Sequence, residues 1–76
     1  MADKLLTLIA GTLGIAPEEV TEASEIIVTR KWDSLRQVML MTELETTYGI
    51  ELTDDQMSEA TSVAKIRAVL AEHGVG

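Results

Sequence analysis

Asp33-Ser34-Leu35 stands at the mouth of the longest helical pattern in the chain, and these residue types suit two different roles. On the first, the tripeptide is punctuation. Asp33 is a good N-cap, its carboxylate accepting from the free N–H groups of a first helical turn. Ser34 with Gln37 also matches the capping-box pattern S-x-x-Q. On the second, the serine hydroxyl projects from the domain and is a point of covalent attachment. A phosphodiester formed there would sit against free backbone N–H groups and the positive end of the helix dipole, a placement favourable by about 0.3–1 kcal/mol at a surface. Lys31 and Arg36 lie close in sequence and would add to it. Catalysis by Ser34 itself is disfavoured, because a nucleophilic serine needs a general base held by a third group. The one histidine, His73, falls in the last turn of a terminal helix, where its ordinary role is a favourable charge at a helix C-terminus. The chain has no Gly-rich phosphate loop and no G-x-S-x-G elbow.

The elements that must position this serine follow from periodicity and caps. Residues 3–14 read as a helix, with Asp3 able to cap it, Leu5, Leu6, Ile9 and Leu13 at helical spacing, and Gly14 as its C-terminal cap. Gly11 within it costs about 1 kcal/mol relative to Ala. The segment from Ile15 to Asp33 reads as a long connection with one short turn at Pro17-Glu18-Glu19. Connections of that length in a small domain are often functional. Ile26, Ile27 and Val28 have no second strand to pair with, so they read as a loop pinned to the core. Residues 34–48 read as the second helix, ending before Gly49. Residues 54–59 read as a short third helix, with Thr53 and Gln56 as a capping box. Residues 62–73 read as the fourth, capped by Thr61 or Ser62, with Val63, Ile66, Val69 and Leu70 inward and Gly74 closing it. The expectation is one all-α domain over residues 1–76, three main helices plus a short one around one core.

Composition narrows the role. The 76 residues include no cysteine and one histidine, which excludes disulfides and thiolate metal ligands and leaves no metal site. An apolar fraction of 46% supports a globular core, and the absence of Phe makes that core aliphatic and Met-rich. The formal net charge of −7 repels nucleic acid and anionic membrane, and favours partners with basic patches. The start, Met1-Ala2-Asp3-Lys4, lacks a secretory signal pattern, and no apolar run approaches the ~18 residues of a membrane span. A soluble cytoplasmic monomer is expected, without membrane insertion or nucleic-acid binding.

On a wheel of about 100° per residue, Val38, Leu40, Met41, Leu44 and Tyr48 form the core face of the second helix. Arg36, Thr42, Glu43 and Thr46 fall opposite, and Leu35 and Met39 lie with them, one turn apart beside Ser34. Such a pair is a candidate docking spot, since partners anchor on small apolar patches. From Gln37 through Ala64 there is no Lys or Arg, while Glu43, Glu45, Glu51, Asp54, Asp55 and Glu59 all fall there. That run reads as a solvated acidic face or as one side of a charge-steered contact. Trp32 reads either as packing over the long loop or as a partner contact.

With these pieces in place, the chain resembles the acyl carrier protein family over nearly all of its length. Asp33-Ser34-Leu35, followed by Val38, Leu44, Glu45 and Tyr48, is similar to the family's D-S-L start of the second helix. Leu13-Gly14-Ile15, Glu18-Glu19-Val20, Ile50-Glu51-Leu52-Thr53-Asp54-Asp55 and Thr61-Ser62-Val63 resemble its other landmarks. The resemblance implies an acyl-carrier-like four-helix bundle that is no enzyme. It also implies a 4'-phosphopantetheine joined to Ser34, within the motif of Asp33 and Leu35, by a phosphopantetheinyl transferase using coenzyme A. The terminal thiol would hold an acyl or aminoacyl thioester loaded by a ligase or acyltransferase and passed to downstream synthases. Met41, Met57, Leu40, Ile50 and Leu52 are candidates to line an interior that shelters the cargo. The chain departs from the family where a Leu-Gly pair commonly precedes D-S-L, having Arg30-Lys31-Trp32, and in carrying Arg36 and Met39 on an early face that is often acidic. Trp32, Leu35, Arg36, Met39 and Glu43 are therefore the expected partner-docking residues. The expected role is a stand-alone carrier in a fatty-acid, polyketide or other specialised pathway. A peptidyl or aminoacyl carrier, or an unmodified helical adaptor, is the alternative.

Overall fold

The computed structural model describes residues 3–76, so the reading of Met1 and Ala2 lies outside the described residues. The described chain folds into helices α1 (Lys4–Leu13), α2 (Ser34–Tyr48), α3 (Asp54–Glu59) and α4 (Val63–Glu72), with one 3-10 turn at Pro17–Glu19. No strand forms among these residues, and the all-α four-helix expectation holds.

Each helix starts where its capping chemistry sits. Asp3 accepts from the N–H groups of Leu5 and Leu6 at 2.9 and 3.2 Å. In α3 the capping box closes both ways, Thr53 Oγ1 accepting from the Gln56 N–H and Gln56 Oε1 from the Thr53 N–H, each at 3.1 Å. Ser62, not Thr61, caps α4 by accepting from the Lys65 N–H at 3.1 Å. At the other ends, Gly14 and Gly49 take left-handed backbone conformations that side chains with a Cβ resist. After Gly14 the N–H of Ile15 turns back to the Ala10 carbonyl at 3.0 Å, which drops Ile15 into the core.

One core joins the helices. Leu5, Ile9 and Leu13 of α1 meet Leu40, Met41 and Leu44 of α2 and Val63, Ile66, Val69 and Leu70 of α4. Leu6 is only partly buried. Arg67 fastens the perimeter, donating to Asp3 Oδ2 at 2.9 Å and to both Glu22 oxygens at 2.6 Å. These bonds hold the Asp3 and Glu22 carboxyls below their ordinary values.

The long connection behaves partly as expected. It forms no strand but makes one bridge, Glu25 to Ser62, through Ile26 N–H to Thr61 O at 2.9 Å and Val63 N–H to Ser24 O at 3.0 Å. Ile26 packs against the core. Ile27 and Val28 do not, which corrects the reading of all three as pinned. Ile27 turns to φ 73° with its N–H on the Trp32 carbonyl at 2.6 Å, and Lys31 takes φ 65°. A β-branched residue in that region is a genuine outlier, and the turn leaves the Ile27 side chain in solvent.

Candidate functional site

Ser34 is the first residue of α2 and is exposed. The cap is Asp33 alone: its Oδ1 accepts from the Arg36 N–H at 2.9 Å. The S-x-x-Q box does not form, because the Gln37 side chain points inward. Among the described residues nothing bonds the Ser34 hydroxyl, and the N–H groups of Ser34 and Leu35 have no backbone acceptor. A reachable hydroxyl therefore lies beside unpaired N–H donors at the positive end of a 15-residue helix, an arrangement suited to an anionic phosphodiester. The fit to a phosphate-linked group is thus a property of the backbone here as well as of the residue type.

Of the three cations near Ser34, two are engaged. Arg30 holds Glu19 with both forks, Nε to Oε1 at 3.0 Å and Nη2 to Oε2 at 3.1 Å. That pairing, helped by the Ala16 N–H, keeps the Glu19 carboxyl below its ordinary value. Arg36 is half-buried and donates from Nη1 to the Thr12 carbonyl at 3.1 Å, which ties α2 to the last turn of α1. Lys31 is exposed and makes no salt bridge among the described residues. His73, the one histidine, faces Gln56 at 3.0 Å from its Nε2 and belongs to the α3–α4 contact.

Two expected docking residues change role. Trp32 is 1% exposed and is a core residue, not a partner contact. Its indole N–H donates to Gln37 Oε1 at 2.8 Å, the partner that a buried indole requires. Arg36 is committed in part to Thr12 and is less of a free contact than its wheel position implied. Leu35 and Met39 are exposed as read, at 69% and 43%, and Glu43 is exposed as well.

The larger correction concerns Val38, placed on the core face by hydropathy and found 66% exposed. The buried stripe is Gln37, Leu40, Met41 and Leu44, with Tyr48 half-buried beyond it. That is the i, i+3, i+4, i+7 series, and a glutamine opens it. Gln37 is 9% exposed, and its Nε2 donates to the Ala60 carbonyl at 2.7 Å and the Met57 carbonyl at 3.4 Å. Those carbonyls end α3, where no intrahelical partner is available to them. Sequence reasoning missed Gln37; its spacing to Leu40, Met41 and Leu44 was the signal that could have found it.

With Val38 outward, Leu35, Val38 and Met39 form one exposed apolar stripe immediately after Ser34. On one flank of α2, a groove of about 510 Å³ runs between α1 and α2, lined by Leu8, Gly11, Thr12, Arg36, Met39 and Glu43 among others. Of the run read as an acidic face, Glu43, Glu51, Asp54, Asp55 and Glu59 stay exposed. Glu45 is half-buried and accepts from the Leu52 N–H at 2.9 Å, shaping the turn after α2.

Residues 3–70 match the family model described as phosphopantetheine attachment site. Two curated relatives cover most of the chain. An acyl carrier protein of Buchnera aphidicola subsp. Baizongia pistaciae is 30% identical over 70 residues, 92% of this chain and 90% of that one. An acyl carrier protein of Rubrobacter xylanophilus is 31% identical over 70 residues, 92% of this chain and 86% of that one.

Proposed function

The chain belongs to the phosphopantetheine-attachment family as an acyl carrier protein, a carrier and not an enzyme with a covalent 4'-phosphopantetheine, and from that premise we propose that Ser34 is the attached residue. The observation that carries this is the free, exposed hydroxyl at the first position of α2, beside unpaired N–H groups and within Asp33-Ser34-Leu35. Asp33 fixes the turn that presents it. The prosthetic group, when present, supplies a thiol that this cysteine-free chain lacks, on an arm that raises the effective concentration of its thioester near a partner's site.

In the attachment step Ser34 Oγ bonds to the pantetheine-side phosphorus of coenzyme A, the pyrophosphate P–O bond breaks, and adenosine 3',5'-bisphosphate leaves. The hydroxyl proton passes to a base of the phosphopantetheinyl transferase; the chain's one histidine lies at the α3–α4 contact.

Leu35, Val38 and Met39, with Glu43 at the rim, are the proposed docking surface for that transferase, for a loading ligase or acyltransferase and for downstream synthases. Exposed apolar side chains beside the attachment point support it. So do the departures at Arg30-Lys31-Trp32 and Met39 in favouring a specialised pathway over general fatty-acid supply. The carrier is proposed to act as a monomer in the cytoplasm, like-charged copies at net charge −7 repelling one another; no described helix is long and apolar enough to cross a membrane.

Intact mass after incubation with a broad-specificity phosphopantetheinyl transferase and coenzyme A tests the assignment. The wild type should gain one phosphopantetheine and Ser34→Ala none. Modification of Ser34→Ala, or an unmodified wild type beside a modified control carrier, overturns it.

A further inference from the structure

The end of α2 that presents Ser34 is latched on both sides by consecutive residues. Arg36 Nη1 reaches the Thr12 carbonyl of α1 at 3.1 Å. Gln37 Nε2 reaches the Ala60 and Met57 carbonyls at the end of α3, and its Oε1 accepts from Trp32. No buried side-chain nitrogen or oxygen among the described residues lacks a partner, so this closure is fully satisfied. Trp32 is among the largest fully buried side chains and lies directly behind it.

The seams of the interior nearest Ser34 are the α1–α2 seam, held by Arg36, and the α2–α3 seam, held by Gln37. An aliphatic chain offers no donor and no acceptor. Sliding one beneath Gln37 strands the Trp32 N–H and the Ala60 carbonyl in an apolar place, with the full desolvation penalty of each. Space does exist outside the latch: a cleft of about 220 Å³, open to solvent, lined by Gln37, Val38, Met41, Thr42, Met57 and Ser58. Behind it Leu40 and Leu44 are packed into the core.

We infer that this carrier does not draw its cargo into the helical interior, and that its cargo is accordingly a short or polar acyl or aminoacyl group borne outside the bundle. The inference rests on Ser34 being the attachment site and deepens that reading. It also sets aside the sheltered interior expected around Leu40, Met41, Ile50, Leu52 and Met57. A long aliphatic thioester left in water exposes apolar surface that a carrier of such cargo would need to cover. A short or polar group carries no such penalty and needs no cavity.

The experiment loads one protein with acetyl and with octanoyl pantetheine arms and compares the two. Intact mass reports loading first, which separates failure of the attachment site from failure of this inference. A parallel arm needs no transferase: the chain has no cysteine, so Ser34→Cys offers one thiol for alkylation by arms of the same two lengths. Three readouts follow: emission of Trp32, the one tryptophan, thermal midpoint, and the rate of thioester cleavage by hydroxylamine (the last for the enzymatically loaded protein).

Emission and midpoint should be the same for both lengths, and cleavage rates should agree within about twofold. Cargo reached only by opening the helices would instead be protected by about tenfold or more. A higher midpoint, a shifted emission and slowed cleavage with octanoyl overturn the inference. Gln37→Leu removes the α3 latch and should introduce that length dependence. If it does not fold, Arg36→Leu opens the α1 seam instead, and the wild-type comparison decides by itself.

Discussion

Gln37→Leu tests the central feature of the site, a buried amide at the head of the core stripe of α2. The substitution leaves the Trp32 indole N–H and the Ala60 carbonyl without the partners they have at 2.8 and 2.7 Å. Each stranded group costs about 1–3 kcal/mol, and burying leucine in place of the amide returns about 2 kcal/mol, for a net loss of about 2 kcal/mol. A domain of this length has about 4–11 kcal/mol in total at 0.05–0.15 kcal/mol per residue. The loss should therefore lower the thermal midpoint by about 8–16 °C. Urea denaturation followed by circular dichroism measures it, and a cycle with Trp32→Phe apportions it. Phenylalanine has no N–H to strand, so the second substitution should cost less in the Gln37→Leu background than in the wild type, with a coupling of about 1 kcal/mol or more. Additive losses, or a Gln37→Leu variant within about 0.5 kcal/mol of wild type, would refute the latch as an energetic unit.

Val38→Ala, Leu35→Ala and Met39→Ala should each change stability by less than about 0.5 kcal/mol in chemical denaturation, while slowing modification by the transferase. A Val38→Ala loss above about 1 kcal/mol would return that residue to the core. Gly11→Ala should stabilise by about 0.5–1 kcal/mol, since beyond its chain neighbours and the helix's own backbone nothing lies within 4 Å of the added methyl. Lys31→Gly should stabilise by up to about 1 kcal/mol in a thermal melt by relieving a left-handed lysine at φ 65°. Asp3 and Glu22 have depressed folded values, so their share of stability is present above the ordinary 3.8 and 4.5 and is lost as pH falls through the lowered values. Arg67→Met should accordingly flatten the fall of midpoint between about pH 5 and 3, and an unchanged slope would argue against the ion-pair network.

Much of this was legible in the sequence because it depends on local chemistry. Asp3, Asp33, Thr53 and Ser62 cap helices, and Gly14 and Gly49 end them, because side chain and backbone decide those points within a few residues. The start of α2 at Ser34 was legible because Asp33 beside it is a strong cap. The fate of Trp32, Gln37 and Val38 was not local. The spacing of Gln37 to Leu40, Met41 and Leu44 marks its side of the helix, but the carbonyls 20 and 23 residues away that make burial of an amide favourable lie outside any window over α2. Ile27 and Lys31 illustrate the same limit. Nothing in their residue types favours a positive φ; the bond from the Ile27 N–H to the Trp32 carbonyl holds the loop there.

The exchange of Val38 for Gln37 also explains how α2 keeps its outer face. Rotating α2 by about one residue, 100°, would bury Val38 in place of Gln37, but it would also bring Thr42 and Glu45 toward the core in place of Met41 and Leu44. Burying the valine gains about 1.5–3 kcal/mol. Against this stand the hydrogen bonds of Gln37, at about 0.5–1.5 kcal/mol each, and about 1–3 kcal/mol for each buried group left unpaired at Trp32 and Ala60. The polar terms outweigh the valine, and Leu40 and Leu44 would lose their burial in the same rotation, so the buried amide and the leucines together set the rotation of the helix. Leu35, Val38 and Met39 stay outward for the same reason, in one stripe beside the Ser34 hydroxyl. On the docking reading, that rotation is functional. A mobile arm places its cargo reproducibly only if the surface a partner grips is fixed relative to the root of the arm, and the Gln37 bonds together with buried Leu40 and Leu44 supply that fixed relation.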